Sequence, residues 1–304
     1  MEQITYRGWP TCYRLTRDDL ELVVTADVGP RIIRFGRVDG PNMFCEYEEW
    51  WGKIGGTEWR NYGGHRLWHA PEVRPRTYAP DNDPVTVRET PEGWAFTQPV
   101  EATTGIQKEL VISFPSLAGT VRVTHRLRNL GLWAVELAPW ALSVMAPGGT
   151  AIIPLPERGP HGTNLLPASV LALWKYTDLS DARWTFGRRF ILLRQDPQAT
   201  TPQKIGATVP DGWLAYTNAG YTFLKRFPYC PGAVYPDLGV NAECFTNARM
   251  LELESLGPLV RLAPGAEVTH VETWALLQDV SRLADEADVA QHLLPRLQPY
   301  LAQE

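Results

Sequence analysis

Short apolar runs, broken about every ten residues by glycine, proline or a polar turn, set the pattern of this chain. The runs predict strands at residues 20–25, 31–37, 107–113, 119–128, 135–146 and 151–154. Later runs at 190–195, 204–208, 212–218, 221–227, 241–246, 249–255 and 267–276 continue the series. Residues 85–89 and 93–98 read as a hairpin through Thr90-Pro91-Glu92. Strands of this length and spacing, with almost no helical periodicity, predict an all-β fold. The one helical pattern is terminal. Leu283, Ala287, Val289, Leu293, Leu294, Leu297 and Leu301 recur at helical spacing, with Pro295 and Pro299 expected to break or kink the segment. Residues 280–304 are therefore expected to cap a single β-sandwich domain spanning 1–304.

The alternation over residues 249–255 is the sharpest. As a strand it sends Leu251 and Leu253 to one face and Glu252 and Glu254 to the other. Two carboxylates side by side repel. On a desolvated face one of them is pushed toward the neutral form, as a general acid or base requires. A solvated strand with two ordinary glutamates is the plain alternative.

The densest polar stretch is residues 55–76. Gly63 and Gly64 precede His65, Arg66, Trp68, His69 and Glu72, and the paired glycines predict a loop edge that presents these side chains. His65 and His69 are candidate proton-transfer groups. Arg66 offers a planar fork for hydroxyls or a carboxylate, with Trp68 and Glu72 beside it as binding candidates. Asp237, Glu243, Lys204, Lys225 and Arg226 are individually weaker candidates. Arg66, Arg74, Arg76, Lys225 and Arg226 together would suit an anionic sugar, although Arg74 and Arg76 read better as surface charges.

Composition narrows the partner. The chain holds 12 tryptophans and 11 tyrosines in 304 residues, a surplus of flat rings that suits stacking on the apolar face of a sugar. A net charge of −5 with no basic stripe argues against nucleic acid. No run of eighteen apolar residues exists, so no membrane-spanning helix is expected. The first residues lack a signal-peptide pattern, which makes the cytoplasm the default expectation. Cys12, Cys45, Cys230 and Cys244 show no metal-ligand spacing, so four buried thiols are expected, with no metal and no cofactor. Oligomeric state is not legible.

Taken in order, GPRIIRFG (29–36), YGGHRLWHAPE (62–72), LELESLGP (251–258), LAPG (262–265) and HVETWAL (270–276) resemble the galactose mutarotase-like superfamily, above all its less characterised branches. The resemblance spans about residues 20–277. It implies a supersandwich of large antiparallel sheets with a sugar site on the concave face. In the aldose 1-epimerases a late glutamate takes the anomeric hydroxyl proton while a histidine protonates the ring oxygen, and the ring opens and recloses. Glu254 matches that glutamate, Glu252 shares its face, and Glu243 is an outside candidate. Where the family carries its acid histidine, this chain has Trp140, whose indole cannot supply a proton. Trp140 is instead expected to contact the sugar. His65 matches an earlier family histidine beside paired glycines and Arg66 its basic companion, so His65 or His69 is the expected acid.

Three functions follow from this resemblance. The first is an epimerase at the anomeric carbon of a free sugar or sugar acid. The second is a sugar-binding or sensing module that lost its acid. The third is a polysaccharide lyase or hydrolase accessory domain, which ranks last because alternate residues on one strand face sit about 7 Å apart on the same side of a substrate, whereas a glycosidase flanks the scissile bond.

Overall fold

A computed structural model describes residues 1–162, 165–280 and 283–302. Its regular structure is nearly all antiparallel strand. One sheet runs from edge to edge through Glu2–Tyr6 (β1), Trp9–Arg17 (β2), Leu20–Thr25 (β3), Arg31–Arg37 (β4), Gly64–Ala70 (β5), Val135–Met145 (β10), Leu251–Leu256 (β19), Ala242–Thr246 (β18), Gln203–Ala207 (β15) and Leu171–Leu173 (β12), with Val260–Leu262 (β20) added beside β10. The other runs through Trp184–Phe186 (β13), Phe190–Arg194 (β14), Thr150–Pro154 (β11), Trp213–Asn218 (β16), Tyr221–Arg226 (β17), Glu267–Gln278 (β21), Thr120–Asn129 (β9), Ile106–Ser113 (β8), Gly93–Thr97 (β7) and Thr86–Thr90 (β6), numbers following chain order.

Alternation along each strand builds the layers. Leu67, Leu137, Met145, Leu251, Leu253, Cys244 and Ile205 of the first sheet meet Val121, Val123, Leu214, Phe223, Trp274 and Leu276 of the second in one core. The opposite face of the first sheet carries Trp68, Trp140, Leu142 and Leu256, with Trp59 and Tyr78 packed on them from connecting segments. The outer face of the second sheet carries Ile152, Trp213, Leu224 and Ala275, and the terminal helical residues Val289, Leu293 and Leu297 cover it. Burial of these leucines and valines, each contributing about 1.5–3 kcal/mol on transfer from water, supplies the reason for the helix to dock.

Several elements differ from the sequence expectation. Residues 64–70 are not a loop edge but β5, a fully buried central strand between β4 and β10. Its glycines serve strand entry instead. A Cβ on Gly63 would lie 2.0 Å from the Cys45 carbonyl oxygen, and one on Gly64 2.4 Å from that of Ile32, at φ of 86° and 68°. The N-terminal hairpin β1–β2 joins the sheet where no strand was expected. The terminal segment is helical over 286–301 and is not broken by its prolines. A π-helical turn, Val289–Leu293, precedes the final helix Leu294–Leu301. That wider turn lies where the ring of Pro295 would otherwise meet the carbonyl four residues earlier. Residues 281, 282, 303 and 304 of the expected cap lie outside the described residues. Three of the cysteines are buried, but Cys230 is exposed on the segment after β17.

Candidate functional site

Register places the polar side chains on the outer face of the first sheet in one row. Arg66 of β5 lies opposite Leu142 of β10, Leu142 opposite Glu254 of β19, Glu254 opposite Glu243 of β18, and Glu243 opposite Gly206 of β15. Glu252 and Lys204 occupy the adjacent row, each opposite Phe245. The strand periodicity that puts Leu251 and Leu253 in the core thus gathers three glutamates, a lysine and an arginine on the other side.

Lys204 is the centre of the group. Its Nζ lies 2.7 Å from Glu243 Oε2 and 3.1 Å from Glu254 Oε2. The ammonium also sits 4.9 Å from the Trp140 ring centre and 4.7 Å from that of Trp174, two indole faces that attract a cation. Trp140 Nε1 donates to Glu254 Oε2 at 2.8 Å. Arg66 donates to Glu252 Oε1 at 2.9 Å and stacks 4.6 Å above Trp68, which meets Trp140 edge-on at 5.4 Å. The two carboxylates of β19 are thus held apart electrostatically, each with its own cation.

A cavity of about 260 Å³ opens over this face, lined among others by Tyr78, Trp140, Trp174, Lys204, Asp237 and Glu243. Glu72, Val73 and Arg74 form its rim. Tyr78 donates its hydroxyl to Glu72, and Arg74 stacks on the Tyr78 ring at 4.4 Å. Asp237 is presented by a tight turn in which Asp237, Leu238 and Gly239 have φ of 50°, 71° and 104°. Left-handed backbone at two non-glycine residues is costly and must be held by its surroundings. Gly206 helps to hold it, because a Cβ there would lie 2.8 Å from a methyl of Val240, so its absence lets the turn settle against β15.

The electrostatics set Glu243 apart. It is 1% exposed, and burial, reinforced by Glu254 and Asp237 against the pull of Lys204, pushes its carboxyl well above the usual glutamate range. Glu252 is raised in the same direction, by burial and Glu254, against Arg66. Burial works against the Lys204 charge, but Glu243 and Glu254 outweigh it and hold the ammonium well above its usual pKa. Neither Oε1 of Glu243 nor Oε1 of Glu254 has a hydrogen-bond partner among the described residues. Of the two, only Glu243 reaches the cavity wall. Glu254 is fully buried behind Trp140 and Lys204.

The histidines lie elsewhere. His65 faces the interior between the sheets, where its Nε2 lies 2.7 Å from His125 Nε2 and its Nδ1 2.9 Å from Ser143 Oγ. His125 Nδ1 must donate to the His270 carbonyl at 2.9 Å, so its Nε2 accepts, His65 Nε2 donates, and Ser143 donates to His65 Nδ1. His270 Nε2 approaches Ser255 Oγ at 2.7 Å, Ser255 donates to Glu272, and Trp274 Nε1 donates to the same carboxylate at 2.7 Å. Lys225 completes the set with three acceptors, Glu272 Oε1 at 3.0 Å and the Ala141 and Leu253 carbonyls at 3.1 Å each. His65, His125 and Glu272 are close enough to hold a metal. The direct imidazole-to-imidazole hydrogen bond and the Lys225 charge already satisfy them without one. His69 also faces inward, 3.4 Å from Glu101, which takes an ion pair from Lys108 at 2.5 Å. Thus the expected partnership of Glu254 with His65 or His69 is not assembled, because the odd positions of β5 point away from the cleft. Lys225, on β17 of the other sheet, also faces the interior, where Glu272 and two carbonyls take its donors, and Arg226 bonds the Tyr300 carbonyl of the terminal helix. The structure does bring together Trp140, Glu243, Asp237, Glu72, Lys204 and Arg74, with Arg66, Trp68, Glu252 and Glu254 behind or beside them. Trp174 and Tyr78, on segments without periodic pattern, were not singled out from sequence.

No family model matches the sequence, and no curated protein is similar enough to count as a relative. Solved structures do match. A galactose mutarotase-like protein from Lactobacillus casei superposes with a TM-score of 0.54 over 88% of this chain and 100% of that one, at 9% identity. The chain has the galactose mutarotase-like fold. A candidate aldose 1-epimerase from Klebsiella pneumoniae gives a TM-score of 0.57 over 98% of this chain and 85% of that one, at 12% identity. The Slr1438 protein from Synechocystis gives 0.54 over 91% and 100%, at 13%. At these identities the likeness concerns the mutarotase-like fold alone.

Proposed function

We propose that the cavity binds a carbohydrate of monosaccharide size and that the protein exchanges the anomers of that sugar. The observation that carries this reading is Glu243. It is a buried carboxyl with an unspent oxygen on the wall of an aromatic-lined cavity, beside a lysine set between two indoles. A carboxyl kept neutral by its surroundings is a proton donor, and a carboxylate in a wetter position nearby is an acceptor. Glu243 fills the first role and partly exposed Asp237 the second. Asp237 takes the proton of the anomeric hydroxyl as Glu243 gives its proton to the ring oxygen, and the ring opens to the aldehyde. Rotation and the reverse transfers return both protons and close either anomer. Glu254 acts as a positioning residue that holds the Trp140 indole and Lys204, not as the base expected from the sequence. The aldose 1-epimerase resemblance and the fold of the Klebsiella and Lactobacillus proteins support the same class of ligand.

A second reading has its own observation. No histidine lines the cavity among the described residues, and Glu254 cannot touch a ligand without movement of Trp140. Such a site could bind a sugar as a sensor does, without turning it over. NMR exchange spectroscopy between α and β anomers, on a pool of aldoses, separates the two. Accelerated exchange that Glu243→Gln abolishes supports the epimerase. Line broadening without acceleration supports the sensor.

A further inference from the structure

The charges on the cavity wall are unevenly committed. Of the two cations on the lining, Lys204 alone is ion-paired among the described residues. Lys204 is shared between Glu243 and Glu254, and Arg74 lies over the Tyr78 ring at the exposed rim. Arg66, the next nearest, is held by Glu252 at 2.9 Å. The carboxyls are not matched in the same way. Partly exposed Asp237 has no hydrogen bond or ion pair among the described residues, and Glu243, 1% exposed on the same cavity wall, keeps an oxygen without a hydrogen-bond partner. Buried acceptors without partners cost free energy until a ligand supplies donors. A uronate or a sugar phosphate would bring further negative charge against Asp237 and would find, besides ion-paired Lys204, only Arg74 at the exposed rim. An ammonium group brings three donors and the opposite charge. The indole faces of Trp140 and Trp174 already hold one ammonium, that of Lys204, and favour cations in general.

Building on the sugar reading of this cavity, we infer that its preferred ligand is an amino sugar bound in its ammonium form, taken ahead of the parent neutral sugar and with uronates and sugar phosphates rejected. The ammonium is placed by the Asp237 carboxylate, with the carbonyl oxygen of the neutral Glu243 carboxyl as a further acceptor, and the apolar face of the ring lies against Trp140 or Trp174. The expectation that basic residues gather around an anionic sugar is reversed, because Lys225 and Arg226 point elsewhere and Arg66 is already paired.

The test is isothermal titration of the full chain at pH 7 and fixed ionic strength. The probes are glucosamine, galactosamine and mannosamine, their parent hexoses, and glucuronate and galacturonate. For the stereoisomer that binds best, the amine should bind at least ~10-fold more tightly than its parent, and the uronate at least ~10-fold more weakly, since one close charge pair in a partly desolvated site is worth about that factor. Asp237→Asn should reduce the amine-to-parent ratio about tenfold. A uronate that equals or exceeds the amine overturns the inference while leaving the sugar site standing, as does a ratio unmoved by Asp237→Asn. Heat from none of the sugars overturns the sugar reading itself, and the inference with it.

Discussion

The two faces of the first sheet both bury charge, and they use it differently. Between the sheets, Lys225, Glu272, His65, His125, His270, Ser143 and Ser255 form a closed set in which the tautomers follow from the carbonyl bonded by His125, and the Lys225 ammonium has three acceptors. On the cleft face, Lys204, Glu243 and Glu254 are also buried, yet two carboxylate oxygens remain unpaired among the described residues and a cavity reaches Glu243. Burial and a shifted pKa mark both groups. What separates them is unspent hydrogen-bonding capacity beside a cavity, where a ligand can supply the missing donors.

The largest effect should come from opening the closed set. Lys225→Met leaves the Glu272 charge buried without its cation and should cost about 3–5 kcal/mol in urea denaturation. Adding Glu272→Gln should recover part of that loss, since it removes the unpaired buried charge and keeps an acceptor for the Ser255 and Trp274 donors. Failure of the single variant to destabilise would break the comparison at its first step.

Acid should sharpen it. Burial depresses His125 and His270 to about 3 and His65 well below its usual value, so all three stay neutral in the fold. The unfolded chain takes up those protons near 6.5. Between 6.5 and about 3 the unfolded state therefore holds more protons, and stability is fully present above that window and lost as pH falls through it. The slope should reach up to ~1.4 kcal/mol per pH unit for each histidine involved. A stability flat from pH 7 to 4 would contradict neutral core imidazoles.

Smaller effects belong to the cleft. Trp140→Phe keeps a ring but removes the bond to buried Glu254, and should cost about 1.5–3 kcal/mol together with weaker sugar binding. Glu243→Gln retains an acceptor for Lys204 and should change stability by less than about 1 kcal/mol while abolishing anomer exchange, the trade expected of a site strained for function. Thermal melts and the exchange assay check both. At the exposed Arg249–Glu49 pair, Arg249→Ala should lose no more than ~1 kcal/mol.

Much of the fold was readable because its strands obey simple alternation. β19 is the clearest case, with Leu251 and Leu253 inward and Glu252 and Glu254 outward. β5 was misread for a physical reason. Both of its faces carry polar groups, so density of charge masked an alternation that sends Arg66 and Trp68 one way and His65, Leu67 and His69 the other. The site was legible only in pieces. Glu243 and Asp237 were weak candidates until register set Glu243 opposite Glu254 and the turn that carries Asp237 settled against Gly206. Trp174 and Tyr78 reach the cavity from connecting segments, where no periodicity signals which way a side chain faces.

The most direct test of the difference between the two faces is the ¹H–¹⁵N spectrum of the tryptophan indoles during titration with the best-binding sugar. Trp140 reports the cleft through its bond to Glu254, and Trp274 reports the closed interior through its bond to Glu272. Saturable shifts of Trp140 and Trp174, with Trp274 unmoved, are the predicted result. Shifts confined to Trp274, or to indoles remote from the cavity, would contradict the assignment of function to the cleft.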